Sequence, residues 1–247
     1  MAELRLMLAT CMRCQQPTHA RLEGKAAAAA LVAATRLAAI TETIDRKAFC
    51  SAVADVARLI HPTVATAFEV ALPETLDLSL DEARALIVEH GVRCNDDCWS
   101  GGRVISACAV QAVLWAVAAF LRHPQEPLEC ICVAIEGGGD ADTTAAMAGA
   151  IVGARCGVAC MPEWIRSRLT DRGKDGATEL SKLVGELHAL MPLPIDGIAA
   201  AAASVPNLFR APHEVAEEQA RAATDAVTRR DGEGGGGRTA KRLFDDL

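Results

Sequence analysis

Phe49, Val53, Val56 and Ile60 recur at intervals of four, three and four, with Arg46, Lys47 and Arg58 on the opposite face. This period predicts an amphipathic helix that Asp45 caps and Pro62 stops. Gly24–Ile40 carries charge only at Lys25 and Arg36, so little of its circumference is polar and it reads as a buried helix. Ser79-Leu80-Asp81-Glu82 has the form of a capping box and opens a helix that carries Leu86 and Ile87 and ends at Gly91. Val104–Leu121 is uncharged between Arg103 and Arg122. Ser106, Gln111 and its small Ala and Cys positions make it a weak membrane span and a better helix buried on all sides.

Leu128–Ile135 alternates Cys130, Cys132 and Ala134 with Ile131, Val133 and Ile135, which fits a short strand or one more helix. Helical patterns continue over Ala141–Cys156, Pro162–Leu169 and Thr178–Leu190, and Met191-Pro192-Leu193-Pro194 breaks them. Pro212–Arg230 is a charged amphipathic stretch, followed from Asp231 by Gly-rich linker composition and a polar tail. No repeat of fixed period runs through the chain, which excludes a helical solenoid. The organisation predicted is an irregular segment 1–17, a helical domain 18–210 and a charged, Gly-rich tail 211–247.

Composition narrows the class. About a fifth of the 247 residues are Ala, aromatics make up 3% and Tyr is absent, which favours helix over strand and predicts an all-α fold. The net charge of −7 offers no cationic surface for a phosphate backbone, so nucleic acid is not an expected partner. A membrane is not expected either. Ten Cys in a chain that opens Met1-Ala2-Glu3-Leu4-Arg5, without a signal-peptide layout, point to a reducing, intracellular (cytoplasmic) location. Cys130, Cys132, Cys156 and Cys160 read as small core fillers. Cys11 and Cys14 with Cys94 and Cys98 count to four, but the second pair is spaced by three residues and no histidine accompanies it, which speaks against a zinc site. Gly234–Gly237 is followed by Arg238-Thr239, not the Lys-Ser/Thr of a phosphate loop.

The chemistry-bearing stretch is Glu136-Gly137-Gly138-Gly139-Asp140-Ala141-Asp142-Thr143-Thr144. Its glycines permit a sharp turn into a helix whose first amides are electropositive. Asp140, Asp142 and the Thr143 hydroxyl offer hard oxygens suited to Mg²⁺, Mn²⁺ or Ca²⁺ rather than Zn²⁺. On spacing alone the alternative stands beside this one: Asp142 is an N-cap and Asp140 a solvated loop residue.

Gly138-Gly139-Asp140-Ala141-Asp142-Thr143-Thr144-Ala145, with Gly149, Gly153, Gly157, Met161-Pro162 and Trp164, closely resembles the C-terminal signature of the ADP-ribosylglycohydrolase family. The resemblance implies a compact, orthogonal all-α domain that holds two Mg²⁺ ions and cleaves ADP-ribose from modified proteins or small molecules. It assigns Asp140, Asp142 and Thr143 as metal ligands. Thr18-His19 with Glu23-Gly24 and the small-residue run Ala26–Ala34 is similar to the family's central block, which places His19, with Gly138 and Gly139, at the ADP-ribose. Gly101–Leu121 looks like a further family helix, with Cys108 and Gln111 where an acidic residue and a proline are usual.

The resemblance spans Thr18–Leu190 and covers the C-terminal two-thirds of the family's domain. The family's opening Gly-rich helix with its acidic catalytic residue, and its Thr-Asp-Asp-Thr motif, have no counterpart before Thr18. Asn95-Asp96-Asp97-Cys98 falls after the central block and reads as a loop. The expectation is therefore an N-terminally truncated domain that catalyses poorly as it stands. The alternative function is a catalytically inactive ADP-ribose-binding or structural protein that keeps the scaffold.

Overall fold

The computed structural model describes residues 2–91, 104–171 and 175–190. They are helical throughout apart from connections and one small hairpin, as an all-α fold requires. The long helices are α1 (Ala2–Gln15), α2 (Leu22–Ile40), α3 (Arg46–Arg58), α6 (Leu80–His90), α7 (Ala109–Arg122), α8 (Pro127–Glu136), α9 (Ala141–Cys156) and α11 (Ala177–Leu190). Short helices α4 (Pro62–Thr66), α5 (Leu72–Thr75) and α10 (Glu163–Arg166) join them. Strands β1 (Thr170–Asp171) and β2 (Asp175–Gly176) pair antiparallel, Thr170 opposite Gly176.

Helix α7 is the hub. Every residue from Val110 to Leu121 is buried, and α2, α6, α8 and α9 pack around it. Phe120 meets Phe49 of α3 with ring centroids 5.5 Å apart. Helix α2 contributes mostly methyl-sized side chains, with Ala26, Ala27, Ala29, Ala30, Ala33 and Ala34 buried. Small residues let neighbouring backbones come close, so α2 is flanked by α1, α3, α7 and α9. Its direction is fixed at one end: Arg155 donates to the carbonyls of Thr41 (2.7 Å) and Glu42 (3.0 Å), which ties the C-terminal end of α9 to that of α2.

Local signals explain several boundaries. The Asp45 carboxylate accepts from the Ala48 amide at 2.8 Å and starts α3. Ser79 and Glu82 exchange both bonds of the capping box at the start of α6. Between α4 and α5 the chain widens into a π-helical turn over Ala67–Ala71, where the Leu72 amide reaches the Ala67 carbonyl. Pro73 follows directly and has no N–H to continue an α-helical ladder, and the wider turn absorbs that break.

Some expectations need correction. The segment 1–17, expected to be irregular, is helical from Ala2 to Gln15. Leu128–Ile135 is the helix of the two options. The buried helix expected from Val104 starts at Ala109, because Ser106 bonds the Gln111 side chain (2.6 Å) and receives the Cys108 amide (3.2 Å), which holds the preceding residues out of the helix. Cys130 is a core filler, but Cys132 is exposed and Cys156 and Cys160 are half-buried. Asn95–Cys98, Cys94, the stretch from Met191 and the boundary at 210 lie outside the described residues, as do Pro212–Arg230 and the Gly-rich tail. Among the described residues no helix is long and apolar enough to cross a membrane.

Candidate metal centre and ADP-ribose site

The acidic turn is built by three elements that converge on a run of glycines. Helix α8 ends at Gly137, whose amide bonds the Ala134 carbonyl at 3.3 Å, and Gly138 bonds Ile135 at 3.0 Å. Gly138 (φ +67°) and Gly139 (φ +60°) are left-handed. Side chains rarely adopt this region, and here there is a second reason for glycine. A Cβ on Gly139 would lie 2.1 Å from the Ile105 carbonyl oxygen, and one on Gly138 3.0 Å from Val104. The Ile105 amide donates to Gly137 O (3.0 Å) and the Asp140 amide to Ile105 O (3.3 Å). Ile105, itself fully buried, thus staples the turn from both sides.

Asp140 stands at the N-cap position of α9, yet its carboxylate caps no backbone amide. It accepts from the Thr143 hydroxyl at 2.8 Å. The Asp142 carboxylate accepts from the Thr143 amide at 2.9 Å. Both acids therefore close on Thr143, and the simple alternative, Asp142 as N-cap and Asp140 as a loop residue, does not describe the turn. Asp142, Thr143 and Gly139 are exposed and Asp140 is half-buried, so the oxygens meet solvent while the backbone beneath them is locked. The lock includes Thr144, fully buried, whose hydroxyl reaches the Ala134 carbonyl of α8 and the Asp140 carbonyl, both at 3.2 Å.

His19 is exposed and its Nδ1 lies 3.0 Å from the Thr18 hydroxyl. Its Cβ would sit 3.2 Å from a Cβ on Gly24, so the buried Gly24 lets the residues before α2 fold back over the helix start. Helices α2 and α9 pack together with their C-terminal ends joined by Arg155. His19 precedes the first turn of α2, and Asp142 and Thr143 stand in the first turn of α9. The Glu23 carboxyl in that first turn of α2 is held below the usual carboxylate range, chiefly by the Arg21 side chain 3.2 Å away.

Thr143 donates its hydroxyl proton to Asp140, which leaves its oxygen lone pairs available. Two carboxylate groups and one hydroxyl fit a hard cation such as Mg²⁺. Among the described residues no group of three or more His, Cys, Asp or Glu side chains is placed to hold a metal ion, so the turn by itself supplies a partial ligand set. Two clefts lie elsewhere: one of about 410 Å³ lined by Arg46, Glu69 and Asp77, another of about 330 Å³ at the π-helical turn beside His90. The structural supports Ile105 and Thr144 do not stand out in the sequence. Their one visible signal is the three consecutive glycines, which imply close neighbours.

Comparison with curated proteins and with solved structures found no match. The family model described as ADP-ribosylglycohydrolase matches residues 2–196. The match lies over the N-terminal part of this chain and takes in α1, which a resemblance beginning at Thr18 leaves outside. With most of its length matched, an all-α architecture and the Gly-Gly-Asp-Ala-Asp-Thr-Thr turn at the head of α9, the chain belongs to the ADP-ribosylglycohydrolase family.

Proposed function

We propose that this chain hydrolyses the glycosidic bond joining ADP-ribose to a modified protein or small molecule, in a Mg²⁺-dependent reaction. Asp140, Asp142 and Thr143 hold the metal in this reading, and His19, Gly138 and Gly139 meet the ADP-ribose. The observation that carries it is the closure of two carboxylates on one threonine at the first turn of α9. When bound, Mg²⁺ supplies a Lewis acid that orients ribose hydroxyls and a water. The two aspartates contribute negative charge near the anomeric carbon, where the transition state develops oxocarbenium character. Gly138 and Gly139 let the backbone beside the ligand turn tightly against Val104 and Ile105. His19, with Nδ1 engaged by Thr18, offers Nε2 for hydrogen bonding.

A second reading, ADP-ribose binding without turnover, is favoured by the number of acids: among the described residues only Asp140 and Asp142 are gathered at the turn. Two metals share a site only where several carboxylates offset their repulsion. Release of ADP-ribose from an ADP-ribosylated peptide, measured with Mg²⁺ and with chelator, tests both. Turnover that needs Mg²⁺ and is lost in Asp142→Asn, at unchanged melting temperature, is the expected result. The Asn oxygen still accepts from the Thr143 amide, so the fold is spared while a charge is removed. Calorimetric binding of ADP-ribose without release selects the second reading, and no binding at all overturns both.

A further inference from the structure

We propose that Trp115, a core residue on α7, is a positioning residue for the acidic turn, setting where Asp140 presents its carboxylate; this rests on reading Asp140, Asp142 and Thr143 as metal ligands. The end of α8 departs from helical bonding. In a continuing helix the Gly137 amide would bond the Val133 carbonyl, but it bonds Ala134 instead. Val133 is buried, and a buried acceptor without a partner is costly. Trp115 supplies the donor: its Nε1 lies 3.2 Å from Val133 O and 3.1 Å from Ala134 O.

The indole also fixes the position of Gly137. A Cβ on Gly137 would lie 2.3 Å from Trp115 Nε1, so the indole fills the space that a side chain there would take and packs directly on the glycine backbone. Three residues later the chain reaches Asp140; the backbone there is also held by the Gly138–Ile135 bond, the two bonds to Ile105 and, at the Asp140 carbonyl, the amide and hydroxyl of Thr144. Trp115 is 1% exposed and cannot touch a ligand at the exposed oxygens of Asp142 and Thr143. Its influence passes through the Gly137–Asp140 backbone, as outer residues of metal sites orient the inner ones.

The probe is Mn²⁺ alone, bound to the full chain and counted by electron paramagnetic resonance of the free ion. Trp115→Phe keeps most of the ring and removes the donor. It should weaken Mn²⁺ binding by about ten- to a hundredfold. Phe49→Leu, at the aromatic contact on α3, serves as the control: it lowers thermal stability but should leave the Mn²⁺ dissociation constant within about twofold, since non-contacting sites act independently. Equal Mn²⁺ affinity in Trp115→Phe and wild type overturns the proposal, and so does an equal loss in both variants. Absence of Mn²⁺ binding by the wild type is a different result: it removes the metal reading itself, and this inference with it. Should Trp115→Phe not fold, the Trp99→Phe/Trp164→Phe protein leaves Trp115 as the sole indole. Saturable quenching of its emission, at the Mn²⁺ concentration dependence seen by resonance, is expected, and emission indifferent to bound Mn²⁺ overturns the proposal.

Discussion

Helices α3 and α11 carry the same kind of apolar stripe and end in opposite environments. In α3, Phe49, Val53 and Val56 are 5%, 0% and 3% exposed. In α11, Leu180, Leu183, Val184 and Leu187 also share one face, yet they are 46%, 60%, 64% and 56% exposed. The contrast extends to whole regions. From Leu22 to Cys156 each long helix buries a face, whereas no described side chain from Gly157 to Leu190 is buried. Periodicity tells a helix which face to offer. Burial depends on a partner, which α2, α4 and α5 provide for α3 and which is lacking for the stripe of α11 among the described residues.

Substitutions at matched positions sharpen this contrast. Phe120→Ala, at a fully buried ring packed on Phe49, should cost about 3–5 kcal/mol in urea unfolding, through lost transfer energy and a cavity. A loss under about 1 kcal/mol would mean that the hub collapses around the gap. Ser79→Ala removes one half of the box that opens α6 and should cost about 1 kcal/mol. It should also alter the acid side of the stability profile. Ser79 holds the Glu82 carboxyl below its ordinary value through its hydroxyl and amide. That contribution is present above the carboxyl's unfolded-state pKa and is lost as pH falls through the lowered folded value. The gap in melting temperature between wild type and variant should therefore narrow in strong acid, leaving the share that the Ser79 hydroxyl contributes by capping the Glu82 amide. The smallest effect belongs to α11: Leu183→Ser should change stability by no more than about 0.5 kcal/mol. A cost like that of Phe120→Ala would break the comparison and reveal a covered face.

The same contrast explains what could be read in advance. Helix α9 is found over Ala141–Cys156 as its pattern indicates, because left-handed glycines bound it, Gly138 and Gly139 before it and Gly157 after it. Ser79 and Glu82 announce α6 in the same local way. In α1, Leu4, Leu6 and Leu8 alternate with Arg5 and Met7, a local pattern that obscures its helix. The acids of the candidate site are legible because hard-oxygen chemistry has a short spacing. Their supports are not: Ile105, Trp115 and Thr144 look like ordinary core residues until the fold brings them to one turn from α7, α9 and the segment before α7. Leu128–Ile135 is ambiguous because a run of small and β-branched residues suits either element.

The guanidinium bridge between the ends of α2 and α9 has a consequence for the chain as it is made. Arg155 bonds carbonyls 113 to 117 residues earlier, so the pairing closes a very long loop, with the entropy cost and slow search that this entails. A ribosome adding about 5–20 residues per second needs on the order of ten seconds between emergence of the two ends. During that interval the methyl-lined flank of α2 that receives α9 waits uncovered, a window in which a nascent chain is open to chaperone capture or to a neighbouring chain.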